Sequence, residues 1–259
     1  MRCIVAQMWM QQDAQSQIEL VQNLVIEGAK QGHRIFVFPE LAVPGFNRKV
    51  VDLATPENCH KWEALLSELA QKHQVHLFVG MPRIDGSGVY NSYFCFAPSG
   101  KKVCVWDKIG LTPSEQTFFT PGNSRPLMQI EGITLSVVLC REVLDLKEVG
   151  AELSNSGVDL ILWPSYIGYD TQKSTNGSEG PVYEREARAM AKRLGAIMIQ
   201  CNWPNGTNVP DAKNMGGSKV ISADGEEVYQ ALYDKPEVFA VYPTKTSEIA
   251  VEILSDFTY

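Results

Sequence analysis

Along the chain, short runs of Ile, Val, Leu and Phe alternate with longer stretches whose apolar residues recur every three or four positions. The first pattern belongs to strands buried on both faces, the second to helices that cover them. Residues 3–8 predict a strand, and 13–30 a helix with Asp13 as N-cap and Ile18, Val21 and Val25 on one face. A second strand follows at 34–38, ending at Pro39. A helix at 56–73, capped by Thr55, carries the stripe Trp62, Leu65, Leu66 and Leu69, and a third strand spans 76–80. Runs 89–97 and 102–107 then read as a hairpin about Pro98-Ser99-Gly100-Lys101, which sets Cys95 opposite Cys104.

The same succession recurs: strands at 133–139, 159–163 and 196–201, helices at 142–155 and 182–194, and a hairpin of 218–222 with 226–231. The segment QGHRIFVFPE (31–40) lies over SGVDLILWPS (156–165) at constant offset. A strand-helix-strand-helix-strand-hairpin unit is therefore expected twice, over 1–107 and 133–231, with a bridge between and a tail after. Either unit alone leaves one apolar sheet face bare. Packing the two sheets against each other buries both, so the expected fold is an α/β four-layer αββα sandwich with an internal pseudo-two-fold, one domain over 1–259. The irregular stretches 41–55, 109–125, 164–180 and 203–215 start at or beside strand ends, where ligands of open parallel sheets bind.

Composition narrows the classes. With 44% hydrophobic and 20% charged residues the chain can bury a core. Thirty acids against 23 bases, net −7, argue against phosphate-backbone binding and so against a nucleic-acid partner. No apolar run reaches the ~18 residues of a membrane span, and the N-terminus lacks the apolar core of a signal peptide. Six cysteines with no CxxC pair suit reduced thiols in a cytoplasmic protein, Cys95 and Cys104 included. The histidines at 33, 60, 73 and 76 show no ligand grouping, so no metal is expected.

Three reactive residues stand at strand ends. Glu40 closes IFVFPE, Lys108 closes VCVWDK and Cys140 closes TLSVVLC. Each has a plain alternative: a solvated loop acid, a surface lysine paired to a neighbouring acid, a buried apolar thiol. A cysteine at a helix start is expected to feel unpaired N–H groups that favour thiolate and could hold an oxyanion. It still needs a base, and no histidine occupies a comparable position. A glutamate in a dry pocket can serve, and a lysine can stabilise an oxyanion, so the trio suggests nucleophilic acyl transfer.

At these residues the chain resembles the nitrilase superfamily of carbon–nitrogen hydrolases, nearly end to end. FVFPELAVPGF (36–46), VYNSYFCFAPSGKKVCVWDKIGLTPSEQTFFTPG (89–122), LSVVLCREV (135–143) and NMGGSKVISADGEEV (214–228) fall in the family's order. The resemblance implies Glu40 as general base, Lys108 as oxyanion-stabilising cation, Cys140 as nucleophile and Glu115 as a second, substrate-positioning glutamate. It implies no metal or organic cofactor, a small-molecule amide as substrate, and a homodimer or higher homo-oligomer. Hydrolysis would pass through a Cys140 thioester and release ammonia. The omega-amidase and N-carbamoyl-amine branches look nearest, with a nitrilase as the other outcome.

One departure follows the nucleophile, where the chain reads Cys140-Arg141-Glu142-Val143-Leu144 instead of an aromatic, an acid and then Phe-Pro-Glu. Arg141 could read a substrate carboxylate bidentately, or pair with Glu142, Asp145 or another acid. Phe46 and Tyr166, and more weakly Trp203, lie where the family lines its pocket, and packing explains each equally well. Two readings of other classes are a catalytically silent binding protein and a redox-sensing thiol protein. Occupancy of all four family positions argues against the first, and the lack of a second cysteine near Cys140 in sequence against the other.

Overall fold

The computed structural model describes residues 1–46, 49–168, 179–208, 212–244, 249–255 and 257. Strand β1 (Cys3–Gln7) leads into helix α1 (Ala14–Lys30), whose first turn is closed by Asp13 accepting from Ser16 N–H at 2.9 Å. After β2 (Ile35–Val37) come a single turn α2 (Val50–Leu53) and helix α3 (Pro56–His73), where Thr55 Oγ1 accepts from Asn58 N–H. Then follow β3 (His76–Asp85), β4 (Gly88–Phe96) and β5 (Lys102–Asp107), with Cys95 directly opposite Cys104 and both thiols free.

The bridge is not irregular throughout. It holds a 3₁₀ turn (Glu115–Thr117) and an edge strand β6 (Met128–Ile130) before β7 (Ile133–Val137). The expected helix 142–155 is two elements instead: a 3₁₀ turn Cys140–Leu144, then α4 (Leu146–Leu153). The break lies at Asp145, which caps neither piece with its side chain and instead holds Arg141. The remainder is β8 (Leu160–Ser165), α5 (Glu179–Leu194), β9 (Ile197–Asn202), β10 (Lys219–Ile221), β11 (Glu227–Gln230), β12 (Glu237–Tyr242) and β13 (Ala250–Ile253). Of the expected loop 164–180, residues 169–178 lie outside the described residues.

Two sheets result, ordered β13-β12-β1-β2-β3-β4-β5 and β11-β10-β9-β8-β7-β6. Within them β1–β5 and β7–β11 repeat one pattern: three parallel strands followed by an antiparallel pair. The tail does not stay a tail. Its run Glu237–Tyr242 pairs antiparallel with β1 and extends the first sheet.

Alternation along the strands assigns the layers. Val5, Val37, Phe78 and Tyr93 of one sheet meet Leu135, Leu162, Ile199 and Cys201 of the other in a shared core. On the outer faces, Phe36, Val79 and Phe94 pack under Val21, Trp62 and Leu66, while Ile161 and Met198 pack under Val149, Ala187 and Met190. This is the αββα sandwich.

The layering also brings loop backbones close to strands. A Cβ on Gly80 would stand 2.4 Å from Leu41 N, 3.0 Å from Pro39 O and 3.1 Å from Glu40 C, all backbone atoms that cannot rotate away. Gly80→Ala is expected to push the 39–41 segment off β3 and cost roughly 1–3 kcal/mol of stability, as overpacking does. Chemical denaturation reads this; an unchanged midpoint would show that the segment yields freely.

Candidate active site

The reactive residues converge where the strands end. Glu40 follows β2, Lys108 follows β5, Cys140 follows β7 and Tyr166 follows β8. Glu40, Lys108, Glu115 and Cys140 are all buried, with exposures of 0%, 1%, 4% and 7%. Three charged groups so enclosed persist only if they satisfy one another.

They do so around one ammonium. Lys108 Nζ donates to Glu40 Oε1 at 2.7 Å and to Glu115 Oε1 at 2.6 Å. Of its three N–H donors, one remains uncommitted to these partners. Glu115, which opens the 3₁₀ turn, is fixed at its other oxygen by the N–H of Thr112, three residues earlier and 2.8 Å away. Asn91, in β4, donates to Glu40 Oε1 at 2.8 Å and lies 3.5 Å from Glu115 Oε1. Glu40 Oε2 has no hydrogen-bond partner among the described residues. Leu41, next to Glu40, and Leu111 and Phe119, on either side of Glu115 in sequence, share one buried apolar cluster with Val50.

These contacts divide the basicity. Burial raises the Glu40 carboxyl above its ordinary range, and the neighbouring Glu115 charge adds to this against the pull of Lys108. Glu115 is also penalised by burial, but Lys108 and the Thr112 bonds hold it below its ordinary range. Burial works against the Lys108 ammonium, yet Glu40, Cys140 and Glu115 outweigh it and keep the proton on. One acid is thus shifted toward the stronger base and the other toward the anion.

Cys140 opens a five-residue 3₁₀ turn and takes φ +48°, a left-handed conformation that a residue with a Cβ rarely holds. Leu41, directly after Glu40, is similar at φ +47°. Both strained points are anchored by indole N–H groups, one from β8 and one from the residue just after β9: Trp163 Nε1 donates to Cys140 O and Trp203 Nε1 to Glu40 O, each at 2.8 Å. Trp203 is fully buried and holds the Glu40 carbonyl, which is the packing alternative that the sequence left open for it.

The expectation of a thiolate at a helix start is corrected here. Burial first, then the charges of Glu40 and Glu115, raise the Cys140 thiol well above its usual range, and the attraction of Lys108 does not overcome them. A short 3₁₀ turn aligns too few peptide dipoles to do so. The thiol instead donates to Tyr166 O, 3.7 Å away.

Glu142 ties the halves of the site together. Its carboxylate accepts from Leu139 N–H at 2.7 Å, just ahead of Cys140, and from Ile109 and Gly110 N–H at 2.6 and 2.9 Å, just past Lys108. Arg125 Nη2 lies 3.3 Å from it. Arg141 does what the plainer alternative foresaw: its guanidinium grips Asp145 bidentately at 3.0 and 3.2 Å and is taken up there. Phe46 and Tyr166 stack face to face, centroids 4.5 Å apart and 4° from parallel, beside the carbonyl that receives the thiol. Sequence reasoning missed Asn91 and Glu142. The available signal was a polar residue inside an otherwise apolar strand for the first, and for the second an acid two residues past Cys140.

A buried thiol, a basic carboxylate with a free oxygen and a spare ammonium donor are the parts of a thiol-dependent acyl hydrolase. The chain belongs to the carbon–nitrogen hydrolase family, which matches residues 4–241, and is thus a hydrolase of carbon–nitrogen bonds. It is 24% identical over 208 residues to an (R)-stereoselective amidase of Pseudomonas sp., covering 78% of this chain and 70% of that protein. It is 24% identical over 233 residues to an omega-amidase of Danio rerio, covering 85% and 79%. Its fold is similar to that of the amidase from Nesterenkonia sp. AN1, at TM-score 0.79 and 21% identity over 98% of this chain and 90% of that one. That amidase has been solved with butyramide, and with the acetamide moiety of fluoroacetamide on its active-site cysteine.

Glu142→Ala would strip three N–H donors, one buried and two half-buried, of their acceptor and leave Arg125 short of a partner. A loss of roughly 3–5 kcal/mol is expected, with Glu142→Gln losing less because it keeps one acceptor oxygen. Denaturant titration of the two variants checks the order; equal stability to the parent would remove the cross-link.

Proposed function

We propose that the protein hydrolyses a small linear amide to a carboxylic acid and ammonia, with Cys140 as nucleophile, Glu40 as general base and acid, Lys108 as oxyanion donor and Glu115 as the anion that orients Lys108 and the substrate. The observation that carries this is the buried Glu40–Lys108–Glu115 array, with one carboxylate oxygen of Glu40 unpartnered among the described residues and a buried Cys140 close enough to feel all three charges. Glu40 Oε2 takes the thiol proton as Sγ bonds to the amide carbon. The oxyanion meets the third Lys108 N–H and the Arg141 backbone N–H. Glu40 returns the proton to the nitrogen as the C–N bond breaks, giving a thioester and ammonia. Water then gives a proton to Glu40 and attacks the thioester; the C–S bond breaks, and the sulfur recovers the proton.

The stacked Phe46 and Tyr166 provide an apolar wall for a short acyl chain. Binding of butyramide by the Nesterenkonia amidase supports a primary amide as substrate. Arg141, held by Asp145, is assigned to the backbone oxyanion contact and not to reading a carboxylate. Unpaired thiols suit the cytoplasm, and a homo-oligomer is the assembly the family resemblance implies. Among the described residues no helix is long and apolar enough to cross a membrane.

An ammonia-release screen over monocarboxylic amides, dicarboxylic monoamides, carbamoyl amines and nitriles tests the assignment. Neutral short-chain amides should turn over, and Cys140→Ala should release no ammonia from any of them while keeping its thermal midpoint. Turnover by that variant would remove the nucleophile.

The raised carboxyl sets the pH dependence. Glu40 works as the carboxylate, so kcat/KM should fall as pH drops through its pKa, and this acid limb should lie above the ordinary range for a glutamate. Glu40→Gln should lower kcat/KM by about 10²–10⁴-fold, the usual worth of a general base, and abolish the limb. A limb unchanged in Glu40→Gln would assign the titration to another group.

A further inference from the structure

Glu40 can serve as a base only if one oxygen stays free, and a carboxylate beside an ammonium can turn to offer it either oxygen. What fixes the choice is the second donor on Glu40 Oε1. Asn91 Nδ2 and Lys108 Nζ approach this same atom, at 2.8 and 2.7 Å, and Oε2 is left with no partner among the described residues. Asn91 is fully buried, and its backbone carbonyl accepts from Lys108 N–H at 2.8 Å, so one residue holds both the base and the start of the lysine.

Strand packing does not account for the amide. Asn91 sits in β4 opposite Pro82, a residue without an N–H, and its own Oδ1 has no hydrogen-bond partner among the described residues. Asparagine is disfavoured in strands, and an orphaned buried carbonyl oxygen is a cost that an apolar residue would avoid. The donor end is the part of the side chain with a task. Its neutrality matters: a second cation on Glu40 would hold the carboxylate too weakly basic to accept a thiol proton, whereas an acceptor there would repel it.

We propose that Asn91 is a positioning residue for the reaction, which commits Glu40 Oε1 to the Lys108–Asn91 pair and so presents Oε2 to the thiol of Cys140. The inference rests on Glu40 as the base. Against the rise caused by burial, the Asn91 bond favours the ionised form of Glu40, so losing it makes the carboxyl harder to ionise.

The test compares the parent protein with Asn91→Ala, Asn91→Leu and Glu40→Gln on butyramide, following kcat and KM across pH and the thermal midpoint of each. Both Asn91 variants lose the donor, but the leucine keeps the strand filled if the alanine fails to fold. Expected for either is a kcat/KM about tenfold lower at neutral pH, the scale of one hydrogen bond to a charged group. The acid limb should move to higher pH, the rate should recover partly in alkali, and KM should change little. A loss that is parallel at every pH, or no loss, with Glu40→Gln inactive, overturns the positioning role and leaves the base in place. A Glu40→Gln enzyme that keeps its rate and acid limb overturns the base and this inference together.

Discussion

The site depends on an ammonium buried between two carboxylates. Lys108 could not remain charged at 1% exposure without Glu40 and Glu115, and neither acid could remain ionised there without Lys108. With all three ionised and the thiol neutral, the array carries one net negative charge. In the proposed chemistry the thiol proton moves to Glu40 as negative charge moves to the substrate oxygen, so the net charge stays at minus one. A dry cavity tolerates moving a charge far better than creating one. In that proposal Lys108, bonded to the Glu40 carboxylate, also faces the charge that develops on the substrate oxygen.

The rest of the fold keeps that array dry and fixed. Its members come from the ends of β2, β5 and β7 and from the bridge, so no single element could hold them. The sandwich supplies the frame, and a few polar ties finish it. Glu142 joins the backbone before Cys140 to that after Lys108, and the tryptophans Trp203 and Trp163 hold the carbonyls of Glu40 and Cys140. The left-handed residues Leu41 and Cys140 sit next to these ties, as strained backbone does when its surroundings determine it.

Much of this was legible in the sequence because it follows from local rules. The caps at Asp13 and Thr55, the facing cysteines of the first hairpin and the doubled unit all arise from periodicity and turn chemistry. Glu40, Lys108 and Cys140 were visible because each ends an apolar run. Glu115 rested on family resemblance alone, since an acid in a polar loop carries no local mark. What stayed hidden depends on distant partners. The run Glu237–Tyr242 becomes a strand by pairing with β1, more than two hundred residues earlier. The helix after Cys140 is broken because Glu142 and Asp145 are drawn into side-chain ties. Asn91 gains its meaning only from Glu40, 51 positions away.

The protonated thiol bears on how the nucleophile works. A thiolate preformed at a helix start would attack at once, but it would leave Glu40 without a proton. Ammonia cannot leave a tetrahedral intermediate as a bare amide anion, so the nitrogen must gain a proton before the C–N bond breaks. A thiol held neutral by burial and by two nearby carboxylates carries that proton until the substrate arrives. Glu40, made more basic by the same burial, is suited to take it and to release it a step later. In the proposed mechanism the burial that disarms Cys140 thus keeps on it the proton that amide cleavage requires, and ties attack on the carbon to departure of the nitrogen.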